Sequence, residues 1–190
     1  LGTAQRKKPG VTEQGQSPAL AASLLAREAE IRNNPDESIH VFDADGNEIV
    51  AFQGKGEEAR LEKSKVPENA VITHNHPGSL GETGINAIGH SFSVDDIRQA
   101  VMTNASEVRA VTPTYTYSLK RPEGGWGMTP TQAVRRFNKM YRDKVKELIK
   151  YRDSHNNEDL AVDRANTVAD HQVVRQFAKK YKLTYTKKRG

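Results

Sequence analysis

Over residues 132–152 the apolar side chains Val134, Phe137, Tyr141, Val145 and Leu148 recur at spacings of three and four, which predicts an amphipathic helix with one buried stripe. An Ala/Leu-rich run at 19–26 predicts a helix over 18–32, capped by Ser17 and ended by Asn33-Asn34-Pro35. Another helix is expected over about 160–181, after the polar break at 153–157. Elsewhere the apolar runs are short. Ile39-His40-Val41-Phe42 and Ile49-Val50-Ala51-Phe52 flank Asp43-Ala44-Asp45-Gly46-Asn47. Asp-Gly and Asn tolerate the positive φ of a tight turn, so this stretch predicts a β-hairpin. Residues 70–73 read as a buried strand, and 108–111 and 114–119 as two more. Ser93 with Asp95 and Asp96 marks a helix start, because a serine caps the first N–H groups and the helix dipole favours carboxylates there. That helix runs through Ile97, Ala100 and Val101. Residues 78–90 are Gly-rich and patternless, hence a loop. Helix, hairpin, strand, helix, strands and helices in this order imply an α/β (or α+β) sandwich core with a helical C-terminal extension.

Composition narrows this further. A chain of 190 residues fits one domain with an appendage: an arm or linker over 1–17, a core over 18–128 and a basic helical extension over 129–190. With 35% hydrophobic and 28% charged residues it is more polar than an ordinary compact domain. The absence of cysteine excludes disulfides and thiolate metal sites, so any metal must be held by His, Asp or Glu. No apolar run approaches the ~20 residues of a membrane span, and no signal-peptide core is visible at the start. The chain begins at Leu1; the expectation is a piece of a larger polypeptide, cytoplasmic or delivered with an exported protein.

The densest chemistry lies in Thr73-His74-Asn75-His76-Pro77 and Ser91-Phe92-Ser93-Val94-Asp95-Asp96. Histidines two apart at the end of a strand project to one side, so both imidazoles can reach one ion. An aspartate in the first turn of a following helix can supply a third ligand. Three N/O ligands leave a position for water, the arrangement of a catalytic zinc rather than a structural one, and zinc lowers the pKa of such a water to roughly 7. The residues alone imply metal-assisted hydrolysis.

These motifs resemble the JAB/MPN (JAMM) zinc metalloprotease family, whose signature is an upstream Glu, then His-x-His-Pro, then Ser-x-x-Asp. The branch most similar is the bacterial RadC type. The matching residues are His74-Asn75-His76-Pro77 and Ser93-Val94-Asp95-Asp96, within a resemblance that spans roughly residues 20–119. It implies a mixed β-sheet flanked by helices and one Zn2+ per chain on His74, His76 and Asp96. It also implies cleavage of a peptide or isopeptide bond in a protein or peptide substrate. Glu37 stands where the family keeps its general base, with Glu28, Glu30 and Glu48 as competitors. Ser93 matches the family serine beside the metal water and also suits a helix cap. Sixteen residues separate His76 from Ser93, about twice the family's usual interval. The excess, with Gly78, Gly81, Gly84, Gly89 and His90, is expected to act as a lid over the metal.

A basic surplus complicates the assignment. The net charge is +5 and the pI about 9.4. Arg135, Arg136, Lys139, Arg142 and Lys146 crowd the predicted 132–152 helix, and Lys187-Lys188-Arg189 lie near the end. Such residues can neutralise phosphates, or simply form a solvated helix face. Two other readings therefore stand beside the peptidase: a metal-dependent nuclease or DNA-processing factor, and a non-catalytic phage, secretion or toxin-associated module.

Overall fold

The computed structural model describes residues 16–55, 61–82, 88–155 and 162–190. The first helix, α1 (Pro18–Ile31), starts where the sequence places it. Ser17 accepts a hydrogen bond from the Leu20 N–H, and Pro18 occupies the first turn, where its missing N–H costs nothing. The hairpin follows as β1 (Ser38–Phe42) and β2 (Glu48–Gln53), paired antiparallel. Its turn is built on Asp43, whose carboxylate accepts from the Asp45 and Asn47 N–H groups and from the Asn47 amide. Gly46 is required there on two counts: its φ is +89°, and a Cβ would lie 2.8 Å from the Ala19 backbone.

The remaining elements are β3 (Val71–Asn75), α2 (Val94–Thr103), β4 (Glu107–Val111), β5 (Tyr115–Lys120), α3 (Pro130–His155), α4 (Val162–Tyr181) and β6 (Thr184–Arg189). The six strands form one sheet in the order β2-β1-β3-β4-β5-β6. Only β3 and β4 run parallel, joined through α2; the other neighbours are antiparallel. The expected α/β class with a mixed sheet is therefore present. No helix among the described residues is long and apolar enough to cross a membrane.

Strand alternation splits the buried residues between two faces. Ile39, Val41, Ile72, Val108, Ala110, Tyr117 and Leu119 pack with Ile97 and Ala100 of α2, Phe137 of α3 and Val173, Val174 and Phe177 of α4. The opposite face carries α1, with Leu20 and Leu24 against Phe42 and Val71. This smaller face is unusually polar. Arg109 donates to Glu28 through Nε at 2.5 Å and Nη2 at 3.1 Å, and to Glu107 at 2.6 Å; Glu107 also accepts from Ser118. Burial opposes the charge on Arg109, but the Glu28 carboxylate outweighs it and raises the pKa.

The C-terminal segment departs from expectation. Residues 129–190 are not an extension attached to a finished core. Phe137, Val173, Val174, Phe177, Ala178 and Leu183 belong to the same apolar cluster as the strands, and β6 completes the sheet on β5. The basic tail Lys187-Lys188-Arg189 is thus a strand, with Lys187 Nζ 3.8 Å from the centre of the Tyr115 ring. Nearly all of the expected 1–17 arm lies outside the described residues.

Candidate metal centre

At the end of β3 the sheet register brings the candidate residues together. Ile39 faces His74 across the β1–β3 pairing, and the same register extended by two residues sets Glu37 opposite His76. Glu37 shares its face with Ile39 and Val41, the face covered by α2. Ligand atoms of Glu37, His74 and His76 all lie within 4.8 Å of one another. From the helix side, Asp96 reaches both rings: its Oδ1 is 3.1 Å from His74 Nε2 and its Oδ2 3.4 Å from His76 Nε2. The two Nε2 atoms stand 2.9 Å apart.

These spacings suit an ion. Nitrogens bound at ~2.0–2.1 Å in a tetrahedron stand roughly 3.3 Å apart. The tautomer suits one as well: His76 Nδ1 donates to the His90 carbonyl at 2.9 Å, which leaves Nε2 with its lone pair toward the cluster. Electrostatics point the same way. Burial opposes protonation of His76, yet Asp96 and the His90 carbonyl outweigh it and raise its pKa to about 9. Burial likewise disfavours the Asp96 carboxylate, but His74 and His76 hold it well below the usual range. The pocket thus stabilises positive charge on the His76 ring.

Two residue sets share the histidines. Glu37 with the two histidines forms a group that could hold an ion, and the Asp96 carboxylate lies within 3.4 Å of both rings. Ser93 caps α2: its hydroxyl accepts from the Asp96 N–H at 3.1 Å, and Asp96 Oδ2 accepts from the Ser93 N–H at 2.6 Å. This reciprocal capping box fixes the Asp96 side chain beside the two histidines. Among the competitors for the base, Glu28 is bound to Arg109, Glu30 to Arg27 and Glu48 to His40 and Arg27. None of these three joins the histidine group.

Asn75, between the two histidines, was not expected to matter. Alternation turns its side chain to the α1 face, where it is buried. Its Oδ1 accepts from the Ser38 N–H and hydroxyl, and its Nδ2 donates to the carbonyls of Asn34 and Asp36. It therefore ties the segment carrying Glu37 to the strand carrying the ligands. No spacing rule reveals this; the only signal is a small amide at a position where the motif allows any residue.

The loop after His76 is held at both ends. Pro77–Ser79 form a 3-10 turn containing Gly78. At the far end the Ile88 carbonyl accepts from the Tyr117 hydroxyl at 2.9 Å. Gly89 has φ +66°, and a Cβ would come within 2.7 Å of Ser79 and 2.8 Å of Thr112, so it is a packed corner rather than a hinge. Gly81 has φ +80° with open space around it, and Gly84 lies outside the described residues. His90 presents its carbonyl to His76 while its ring is largely exposed, 3.9 Å from Asp170.

The basic residues of α3 are dispersed. Arg135, Lys139, Arg142 and Lys146 are exposed, at spacings that form one stripe. Arg136 instead lies over the Tyr181 ring, and Lys139 pairs with Asp143. Tyr141, Tyr181 and Tyr185 pack against the core and are not available as stacking platforms; Tyr151 is exposed. No family model matches the chain, and neither does any curated protein or solved structure.

Proposed function

We propose that the protein is a zinc-dependent hydrolase of JAB/MPN type that cleaves an amide bond, peptide or isopeptide, in a protein or peptide substrate. The observation that carries this reading is the convergence of His74, His76 and Asp96 on one point, with a Glu37 ligand atom within 4.8 Å of those of both histidines. His74 Nε2, His76 Nε2 and the Asp96 carboxylate would hold the ion. Bound there, zinc would supply Lewis acidity, polarising a substrate carbonyl and making water a better nucleophile near neutral pH.

The chain's own residues account for the remaining needs of amide hydrolysis. Glu37 is buried on the sheet face beside both rings, where its carboxylate can take a proton from the attacking water and return it to the departing nitrogen. The His90 carbonyl fixes the tautomer of His76, the capping box fixes Asp96, and Asn75 fixes the approach of Glu37. The amide class comes from the family resemblance. The basic stripe gives the nuclease reading little support, since helical geometry centres Arg135, Lys139, Arg142 and Lys146 on the side of α3 away from Phe137 and Tyr141, which line a cleft together with His90 and Ser93.

Metal analysis tests the proposal. Purified without chelator, the protein is expected to carry about one zinc per chain, and His74→Ala and His76→Ala each to lose it. Full zinc content in the double variant would place the site elsewhere. A metal-free protein that fails to take up zinc would favour the non-catalytic module.

A further inference from the structure

Beside the histidines a cleft of about 220 Å³ opens between the segment preceding α2 and the helices α3 and α4. It is smaller than the roughly 300–1,000 Å³ typical of a site for a whole small-molecule ligand, and of a size for one side chain. Phe92, Phe137 and Tyr141 make its walls apolar, and Asp170 lines it from α4. Asp170 is 5% exposed. Its Oδ2 accepts hydrogen bonds from the Ser91 N–H at 2.9 Å and the Ser91 hydroxyl at 3.1 Å. His90 Nδ1 stands 3.9 Å from Oδ2, on a ring 61% exposed.

Keeping a carboxylate charged at this depth is costly, and burial indeed raises the pKa of Asp170. An apolar passage ending on such a group is complementary to a side chain with a hydrocarbon stem and a cationic tip. The edge of the cleft is formed by His90 and Ser93, the residues that orient His76 and Asp96. A chain lying across the metal centre would therefore present a neighbouring side chain to this opening.

We propose that the Asp170 cleft is a specificity pocket for a basic side chain, lysine above all, flanking the bond to be cleaved. It rests on the hydrolase reading for its meaning, and it narrows the substrate to chains with a lysine or arginine next to the scissile amide. Because α3 and α4 build it, the C-terminal third of the chain contributes selectivity as well as core.

Binding can be tested without turnover. The 15N-labelled full-length protein, with and without zinc, is titrated with Nα-acetyl-lysine N-methylamide and with the norleucine analogue, which keeps the stem and lacks the charge. The lysine probe is expected to move the amides of Ser91, Asn138 and Asp170 saturably and to bind at least ten-fold more tightly than norleucine. Asp170→Asn is expected to abolish that ratio. Equal binding of the two probes, shifts elsewhere on the surface, or an unchanged ratio in D170N would overturn the pocket. If D170N does not give a folded spectrum, Asn138→Trp, which fills the cleft from α3, decides instead: lysine binding must vanish, and its persistence refutes the proposal. Zinc content and amide hydrolysis are read separately, so a lysine-selective protein without zinc or activity sinks the hydrolase reading alone. An active zinc enzyme indifferent to lysine sinks only the pocket.

Discussion

Glu37 and Asn75 are two buried polar residues on opposite faces of one sheet, tied together at the candidate centre. Glu37 faces the histidines, whereas Asn75 holds the backbone that delivers it. Glu37→Gln is expected to keep zinc and the fold yet lose at least ~100-fold in kcat, the usual scale of acid–base catalysis, because the amide nearly matches the shape but cannot accept a proton. Asp96→Ala is expected to lose both metal and activity. Turnover intact in E37Q, with loss in Glu48→Gln, would reassign the base. Asn75→Ala removes an acceptor shared by two donors and leaves two carbonyls short of a partner, so stability is expected to drop by about 1–3 kcal/mol in denaturant unfolding. That the histidines and Asp96 meet was legible from residue type and spacing, and the place of Glu37 beside them was expected from the family resemblance. Asn75 was not, since its role depends on which face of β3 it occupies and on a long-range contact with residues 34–38.

Among the elements, the hairpin and α2 were readable for local reasons. Asp43, Gly46 and Asn47 specify the turn, and Ser93 with Asp96 specifies the helix start. The strand β6 was hidden, because Lys187-Lys188-Arg189 read as a basic run able to neutralise phosphates or to form a solvated helix face. Its β-formers Thr184, Tyr185 and Thr186 gain strand structure only by pairing with β5, a partner more than sixty residues earlier. The loop between β3 and α2 combines both situations. Its anchors are packed, so any closure over the metal falls to the part between them. Shortening that part while keeping residues 77–79 and 88–90 is expected to leave zinc content unchanged and to alter KM or substrate choice; unchanged kinetics would remove the lid, and loss of zinc would mean that the loop holds a ligand. Gly89→Ala separates anchor from lid, because it combines a positive φ with a clash against Ser79 and Thr112. It is expected to cost about 1–3 kcal/mol of stability, measured by thermal or denaturant unfolding.

At the scale of the whole molecule, α3, α4 and β6 cannot be separated from the rest. A chain cut at residue 128 would expose the faces of Ile97, Ala100 and Tyr117 that Phe137, Val173 and Phe177 cover, and it is expected to show no cooperative melting; an independently folded 18–128 core would refute this. The same packing sets a pH response. His171 on α4 lies beside Tyr117, with ring centroids 5.3 Å apart, and both of its nitrogens are buried without a hydrogen-bond partner among the described residues. Burial above all, then the charge of Lys187, brings its pKa from 6.5 to about 4. An unfolded chain takes up that proton near pH 6.5, whereas the folded one resists until about pH 4. Between these values the unfolded state binds more protons, so stability from this group is complete above pH 6.5 and is lost as the pH falls toward 4. Asp170 contributes in the opposite sense, because burial raises its pKa, so the wild-type curve alone does not isolate the histidine. His171→Phe does: it keeps an aromatic ring against Tyr117 and removes the titration. Melting temperatures measured in chelator, which excludes metal loss as a cause, are expected to fall less steeply below pH 6.5 in this variant. Equal slopes in the two proteins would show that the buried imidazole is not the source.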